Sequence, residues 1–218
     1  MTARMRLNPS SRVQTVDLMA NRMPGFARRR RKGGDGDVEV FCVDEQSDVA
    51  VDLERWRALV LATLREEGVS GQAELTVVFV DEAHIADLNA QYMNKQGPTD
   101  VLAFPIDAVE AEPNNGPGAI SRGPDRPDTE FSDLPLLLGD VIVCPEVAQH
   151  QFSDHAGTFE DEMALLLVHG VLHVMGHDHM EPDQREEMQR REREILAKHH
   201  WRGDVPQGFR QDHPEDAE

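Results

Sequence analysis

Four histidines fall within eleven residues, in His169-Gly170-Val171-Leu172-His173-Val174-Met175-Gly176-His177-Asp178-His179, directly behind the apolar run Met163-Ala164-Leu165-Leu166-Leu167-Val168. Such a run reads as the buried part of a helix. On that helix His169 and His173 stand at i and i+4, so both imidazoles leave one face about one turn apart. Past Gly176 comes His179, and a left-handed turn at the glycine folds this third ring back towards the first two. Three neutral imidazoles converging on one point make a transition-metal site, with a single zinc ion expected. Three protein ligands on a tetrahedral ion leave one position for water, the pattern of a catalytic rather than a structural site.

One histidine on an apolar helix is usually a core residue, and two could be coincidence. Four beside a glycine turn are harder to dismiss. His177 competes with His179 as third ligand, and the spacing His-x-x-x-His-x-x-Gly-x-x-His favours His179. Zinc peptidases with this spacing carry a glutamate after the first histidine, as general base on the activated water. Here that position is Gly170, with no side chain to take a proton. The ligand spacing is kept and the peptidase base is missing.

With 218 residues, 39% of them apolar, the chain can form one domain with a real core plus tails. No apolar run approaches the roughly 20 residues of a membrane span. No apolar stretch of secretory type opens the chain, so a cytoplasmic protein is expected. Cys42 and Cys144 sit in strand-like runs and read as buried thiols rather than a disulfide.

Residues 1–37 carry a net +6 and end in Arg28–Lys32 and a glycine-rich stretch, which leaves −25 for the rest of a chain of net charge −19. They are expected to be a disordered leader, or residues upstream of the true start, in preference to a polycationic arm for RNA phosphates. The folded domain is expected over residues 38–200. Val38–Val43 and Glu74–Val80 read as strands, and Leu53, Trp56, Val60 and Leu64 as the inner side of a helix stopped by Gly68. Asp81–Tyr92 reads as a short helix and Val101–Phe104 as a third strand, with Thr99 and Asp100 at its entrance. Residues 108–134, rich in proline and glycine, read as a flexible insertion. Leu136–Cys144 is apolar enough for a central strand. Glu146–Phe152 begins a helix, and Thr158 with Asp161 and Glu162 caps the metal helix. Pro182 opens a final helix with Met188, Ile195 and Leu196 inside and Glu/Arg pairs on a solvated outer face. Residues 201–218 read as an acidic disordered tail.

Three segments, in this order, resemble the YbeY-type metal-dependent endoribonucleases, bacterial rRNA maturation factors. They are Leu88-Asn89 through Thr99-Asp100-Val101-Leu102-Ala103-Phe104-Pro105, then Gly139-Asp140-Val141-Ile142-Val143, then His169 to His173 with Gly176, Asp178 and His179. The resemblance covers roughly Val38 to His200 apart from the insertion. It implies an α+β domain with helices packed on a small mixed β-sheet and a zincin-like metal helix, and zinc held by His169, His173 and His179. It also implies cleavage of single-stranded RNA, maturation of the small-subunit rRNA 3′ end, and ribosome quality control. One position departs: many members carry an arginine after the aromatic residue of the first segment, where Met93 follows Tyr92 here. Lys95 or the basic leader are the available substitutes.

The expected chemistry is hydrolytic. Zinc takes the pKa of bound water from about 15.7 towards 7 and polarises a phosphoryl oxygen. Attack by that water on the phosphodiester and attack by the RNA 2′-OH are both open. Asp178 is the catalytic candidate beside the three histidines, with Asp140 and His177 as further proton-transfer candidates; a turn or cap role competes for both aspartates. The acidic balance runs against RNA binding, since like charges repel over a Debye length of about 8 Å at physiological salt. Delivery to RNA by the small ribosomal subunit or a basic ribosomal protein would resolve it. The competing readings are a non-catalytic assembly factor stapled by zinc and, less favoured, a zinc metallopeptidase.

Overall fold

The computed structural model describes residues 36–106 and 135–211, so the expected leader up to residue 35, the whole of the insertion and the last seven residues lie outside the described residues. Four strands form one mixed sheet: β1 (Val38–Asp44), β2 (Ala73–Phe79), β3 (Val101–Pro105) and β4 (Leu136–Val143), in the order β1-β2-β4-β3. β1, β2 and β4 run parallel, and β3 lies antiparallel along the outer edge of β4. Parallel neighbours require crossovers, and helices supply them. α1 (Leu53–Glu66) joins β1 to β2, and its first turn is capped by Asp52, which accepts the Arg55 N–H. α2 (Glu82–Leu88) follows β2, while α3 (Pro145–Gln151), α4 (Phe159–Val174) and α5 (Pro182–Leu196) follow β4.

Alternation along the strands decides what each sheet face covers. Val40, Leu75, Val77, Phe79, Leu138, Val141 and Val143 point to one side, where α1 and α4 lie on them. α1 presents Trp56, Leu59, Val60 and Leu64 to this core, as its periodicity predicts. α4 is different. Thirteen of its sixteen residues are buried, so it has no solvent face and reads as apolar almost all round. Thr158 caps it by accepting the Asp161 N–H at 3.1 Å. On the opposite face, Ile85 of α2 packs with Leu102, Ile142 and Cys144 over the β3–β4 half of the sheet. Both cysteines are free thiols.

Two elements differ from the sequence expectation. The helix expected over Asp81–Tyr92 is regular only to Leu88. A wider turn carries it to Met93, and Asn94 ends it in a left-handed conformation (φ 57°); asparagine is among the few residues that tolerate that region. The second is the stretch after His200, expected to be a free tail. Trp201 donates from Nε1 to Asp161 at 2.6 Å, Phe209 packs edge-on to Trp201 with ring centres 4.7 Å apart, and Gln211 is buried against α5. A single aromatic in a polar stretch is enough to dock it, because Trp201 offers an apolar face at the end of the preceding helix.

Candidate metal centre

The end of α4 brings the histidines together. His169 is buried and His173 half-buried on one side of the last turns. The helix then closes by two reversed bonds, from the Gly176 N–H to the His173 carbonyl and from the His177 N–H to the Leu172 carbonyl, each 2.9 Å. This closure needs a left-handed residue, and Gly176 provides it at φ 92°. The reversal returns His179 to the cluster. Ring centres lie 4.5 Å (His169 to His173), 5.0 Å (His173 to His179) and 5.4 Å (His169 to His179) apart. One nitrogen from each ring lies within 4.8 Å of the other two, so the trio could hold a metal ion. Among the described residues, this is the one such cluster.

Hydrogen bonds on the far side of the rings set their chemistry. His169 Nδ1 donates to Glu192 Oε1 at 2.8 Å, and His173 Nδ1 donates to the His177 carbonyl at 3.1 Å. With both Nδ1 atoms used as donors, both Nε2 atoms of the neutral rings are acceptors, and they face each other at 2.9 Å. Two acceptors at that distance repel unless a cation or proton lies between them. A tetrahedral ion with N–metal bonds of 2.0–2.1 Å would set its nitrogens about 3.3 Å apart, between the 2.9 Å of this pair and the 4.8 Å limit of the trio. Burial, aided by repulsion from His169 and His179, holds the His173 imidazole well below its ordinary pKa. The ring is therefore neutral at neutral pH, the form that binds metal.

The remaining candidates are distributed differently. His177 turns its ring away from the trio, with Nε2 2.9 Å from Glu67 at the end of α1, and Arg191 Nε donates to the same carboxylate at 2.6 Å. Burial would raise the Glu67 carboxyl, but these two partners outweigh it and take it down to about 2. Asp178 accepts the backbone N–H of His179 at 2.8 Å, so it shapes the loop that presents the third ring of the cluster. Asp140 is not brought to the site. Its neighbour Val141 touches α4 at Gly170, and successive strand residues face opposite ways. Asp100 does stitch its loop, accepting the Val101 N–H at 2.8 Å and the Gln151 side chain at 2.7 Å.

The family model described as Endoribonuclease YbeY matches residues 41–200. This chain belongs to the YbeY family. Curated relatives named Endoribonuclease YbeY include one from Thermobifida fusca, 41% identical over 71% of this chain and 90% of its own length. One from Salinispora tropica is 40% identical over 73% of this chain and 94% of its own. One from Mycolicibacterium vanbaalenii is 38% identical over 78% and 84% respectively. A solution structure from Thermotoga maritima aligns with 75% of this chain and 92% of its own at a TM-score of 0.45 and 23% identity.

Within this YbeY chain, Met93 packs half-buried against the Ile85 and Leu102 cluster, whereas Tyr92 beside it is exposed and edge-on to Phe104 at 5.1 Å. Gly170 has a steric reason to be glycine. A Cβ there would lie 2.6 Å from Val141 Cγ1 and 3.2 Å from Val101 Cγ2, so α4 rests on the sheet at this residue. The residue that sequence reasoning missed is Glu192. It is 1% exposed and accepts from His169 of the trio, yet it lies in a helix of many charges. The available signal was its spacing: Met188, Glu192 and Ile195 fall at i, i+4 and i+7, which places a carboxylate within the apolar stripe.

Proposed function

We propose that the chain is a zinc-dependent endoribonuclease that cuts single-stranded RNA, acting in the cytoplasm on the 3′ end of small-subunit rRNA and in ribosome quality control. The observation that carries the metal part is the pair of Nε2 acceptors 2.9 Å apart, each with its Nδ1 hydrogen already committed. The RNA part rests on membership in the YbeY family and on the names its relatives carry.

The donor set suits zinc: three imidazoles, with a carboxylate and a carbonyl fixing two of the tautomers. A zinc ion held there supplies Lewis acidity towards a phosphoryl oxygen and makes water acidic near neutral pH. Glu192 orients His169, the His177 carbonyl orients His173, and Asp178 holds the His179 loop through its backbone. Burial of α4 behind His169 closes the rear of this zincin-like helix to water, so reaction is confined to the side of the rings that faces out. Gly170, packed on Val141, disfavours a peptidase because a carboxylate has no room there. The acidic chain meets RNA phosphates through the small ribosomal subunit or one of its basic proteins.

The test is cleavage of a short single-stranded RNA by zinc-loaded protein, beside His173→Ala and a chelated sample, with circular dichroism on all three. Cleavage present only in the loaded parent, with all three folded, supports the enzyme. No cleavage by a folded, zinc-loaded parent overturns it in favour of an assembly factor without catalysis. The core of α1, α4 and the sheet is built without the histidine rings, so chelation is expected to leave the dichroism spectrum intact.

A further inference from the structure

The stretch that follows α5 reaches the metal centre through one side chain. Gln211 is 6% exposed and lies beyond the turn where Phe209 docks on Trp201. Its amide nitrogen donates to Glu192 Oε2 at 2.8 Å and to the Gln189 carbonyl at 3.0 Å. Its amide oxygen accepts from Arg193 Nη1. The orientation of this amide is decided by its neighbours, since an arginine can only donate and the two oxygens can only accept.

Glu192 therefore has one oxygen on Gln211 and the other on His169 Nδ1, both at 2.8 Å. A carboxylate gripped at both oxygens cannot rotate without breaking one of the two bonds. His169, His179, Met188, Glu192 and Gln211 line a common small cavity, which places the amide on the same side of α5 as the ligands. The chain thus runs from a backbone carbonyl of α5 through Gln211 and Glu192 to a ring nitrogen of the trio. Partners behind a metal-bound histidine fix its tautomer and direction, and losing them commonly lowers metal affinity by about 10–100-fold.

We propose that Gln211 is a positioning residue of the metal centre, acting through Glu192 on His169, so that the segment after α5 sets part of the affinity for the ion. This rests on the reading of the trio as a metal site. It assigns to a stretch outside the region of family match a role in the chemistry of the site.

The experiment uses the full chain, two variants of Gln211 and His173→Ala as the control without the cluster. Gln211→Ala removes both amide contacts. Gln211→Glu keeps the length and the acceptor for Arg193 but removes the donor to Glu192 and sets a second carboxylate against it. Zinc(II) and cobalt(II) affinities are measured by competition with a chelator, the cobalt visible absorption is recorded, and unfolding midpoints are taken on metal-free protein. Both variants are expected to bind each ion about tenfold more weakly with an altered cobalt spectrum. A merely structural Gln211 predicts lower midpoints with affinities within about twofold of the parent and an unchanged spectrum, and that result overturns the proposal. If Gln211→Ala does not fold, Gln211→Glu decides, because its anchor to Arg193 remains. A parent that binds neither ion, like His173→Ala, sinks the metal-site reading and this inference with it. A parent that binds while both variants bind equally well sinks this inference alone.

Discussion

Replacing Gly170 by alanine tests how closely the ligand helix sits on the sheet. In a free helix the change stabilises by about 1 kcal/mol, because alanine loses less backbone freedom than glycine. Here the added methyl would stand 2.6 Å from Val141 Cγ1, about 1 Å inside an ordinary carbon contact of 3.5–4.0 Å. Val141 has no room to yield. It is fully buried, β-branched, and held in β4 between β2 and β3. Overpacking of this severity costs about 3 kcal/mol, the upper end of the usual range. The net expectation is a loss of about 2 kcal/mol, or roughly 4–8 °C in Tm for a domain of this size. Against Val141→Ala the 2.6 Å clash is gone and only the tighter-than-usual 3.2 Å approach to Val101 Cγ2 remains, so the same alanine should then be between neutral and stabilising by about 1 kcal/mol. Urea unfolding of the four metal-free proteins of this double-mutant cycle should therefore show a coupling of about 2–3 kcal/mol. Two effects that add to within about 0.5 kcal/mol would refute the close contact. Gly170→Glu should be worse than alanine, since it buries a charge as well as a methylene.

Two further predictions concern the groups beside the ligands. Glu67, held at about 2 by His177 and Arg191, contributes stability that is complete above its ordinary value near 4.5 and is lost as pH falls from there towards 2. Glu67→Gln should flatten that part of the acid unfolding curve, and an equally steep loss between pH 4.5 and 2.5 in both proteins would exclude the pairing. His179→Ala should lower zinc affinity by more than about 100-fold, while His177→Ala, whose ring faces Glu67, should lower it by less than about tenfold. The reverse order in a chelator-competition titration would make His177 the ligand.

Local patterns exposed much of this in the sequence. The apolar run before His169, the i and i+4 spacing, Gly176 and the Thr158 cap are all decided within a few residues, and the helix is built from them. The strands were readable for the same reason, and β4 reads as an apolar run because it lies between two neighbours. What escaped depends on distant partners. The direction of the His177 ring is set by Glu67, 110 residues earlier, and that of Glu192 by a histidine on another helix. Gln211 looked like tail because nothing near it in sequence shows that Trp201 and α5 are waiting for the chain. Asp178 illustrates the limit from the other side: its role in the loop was one of two readings open from the residues, and the bond from the His179 N–H supports that one while leaving its proton-transfer role a separate matter.

The Gly176 turn divides the three clustered histidines between two levels of local stability. His169 and His173 ride on a helix whose amides are shielded on almost every side, so freeing them from the core requires the domain to unfold globally. His179 stands beyond the turn, on a short loop with the exposed Met180 next to it, where local opening is far less costly. An ion at this centre would therefore exchange through the His179 side. Its lifetime would follow the opening of that loop, while its affinity would still draw on the rigidity of the buried pair.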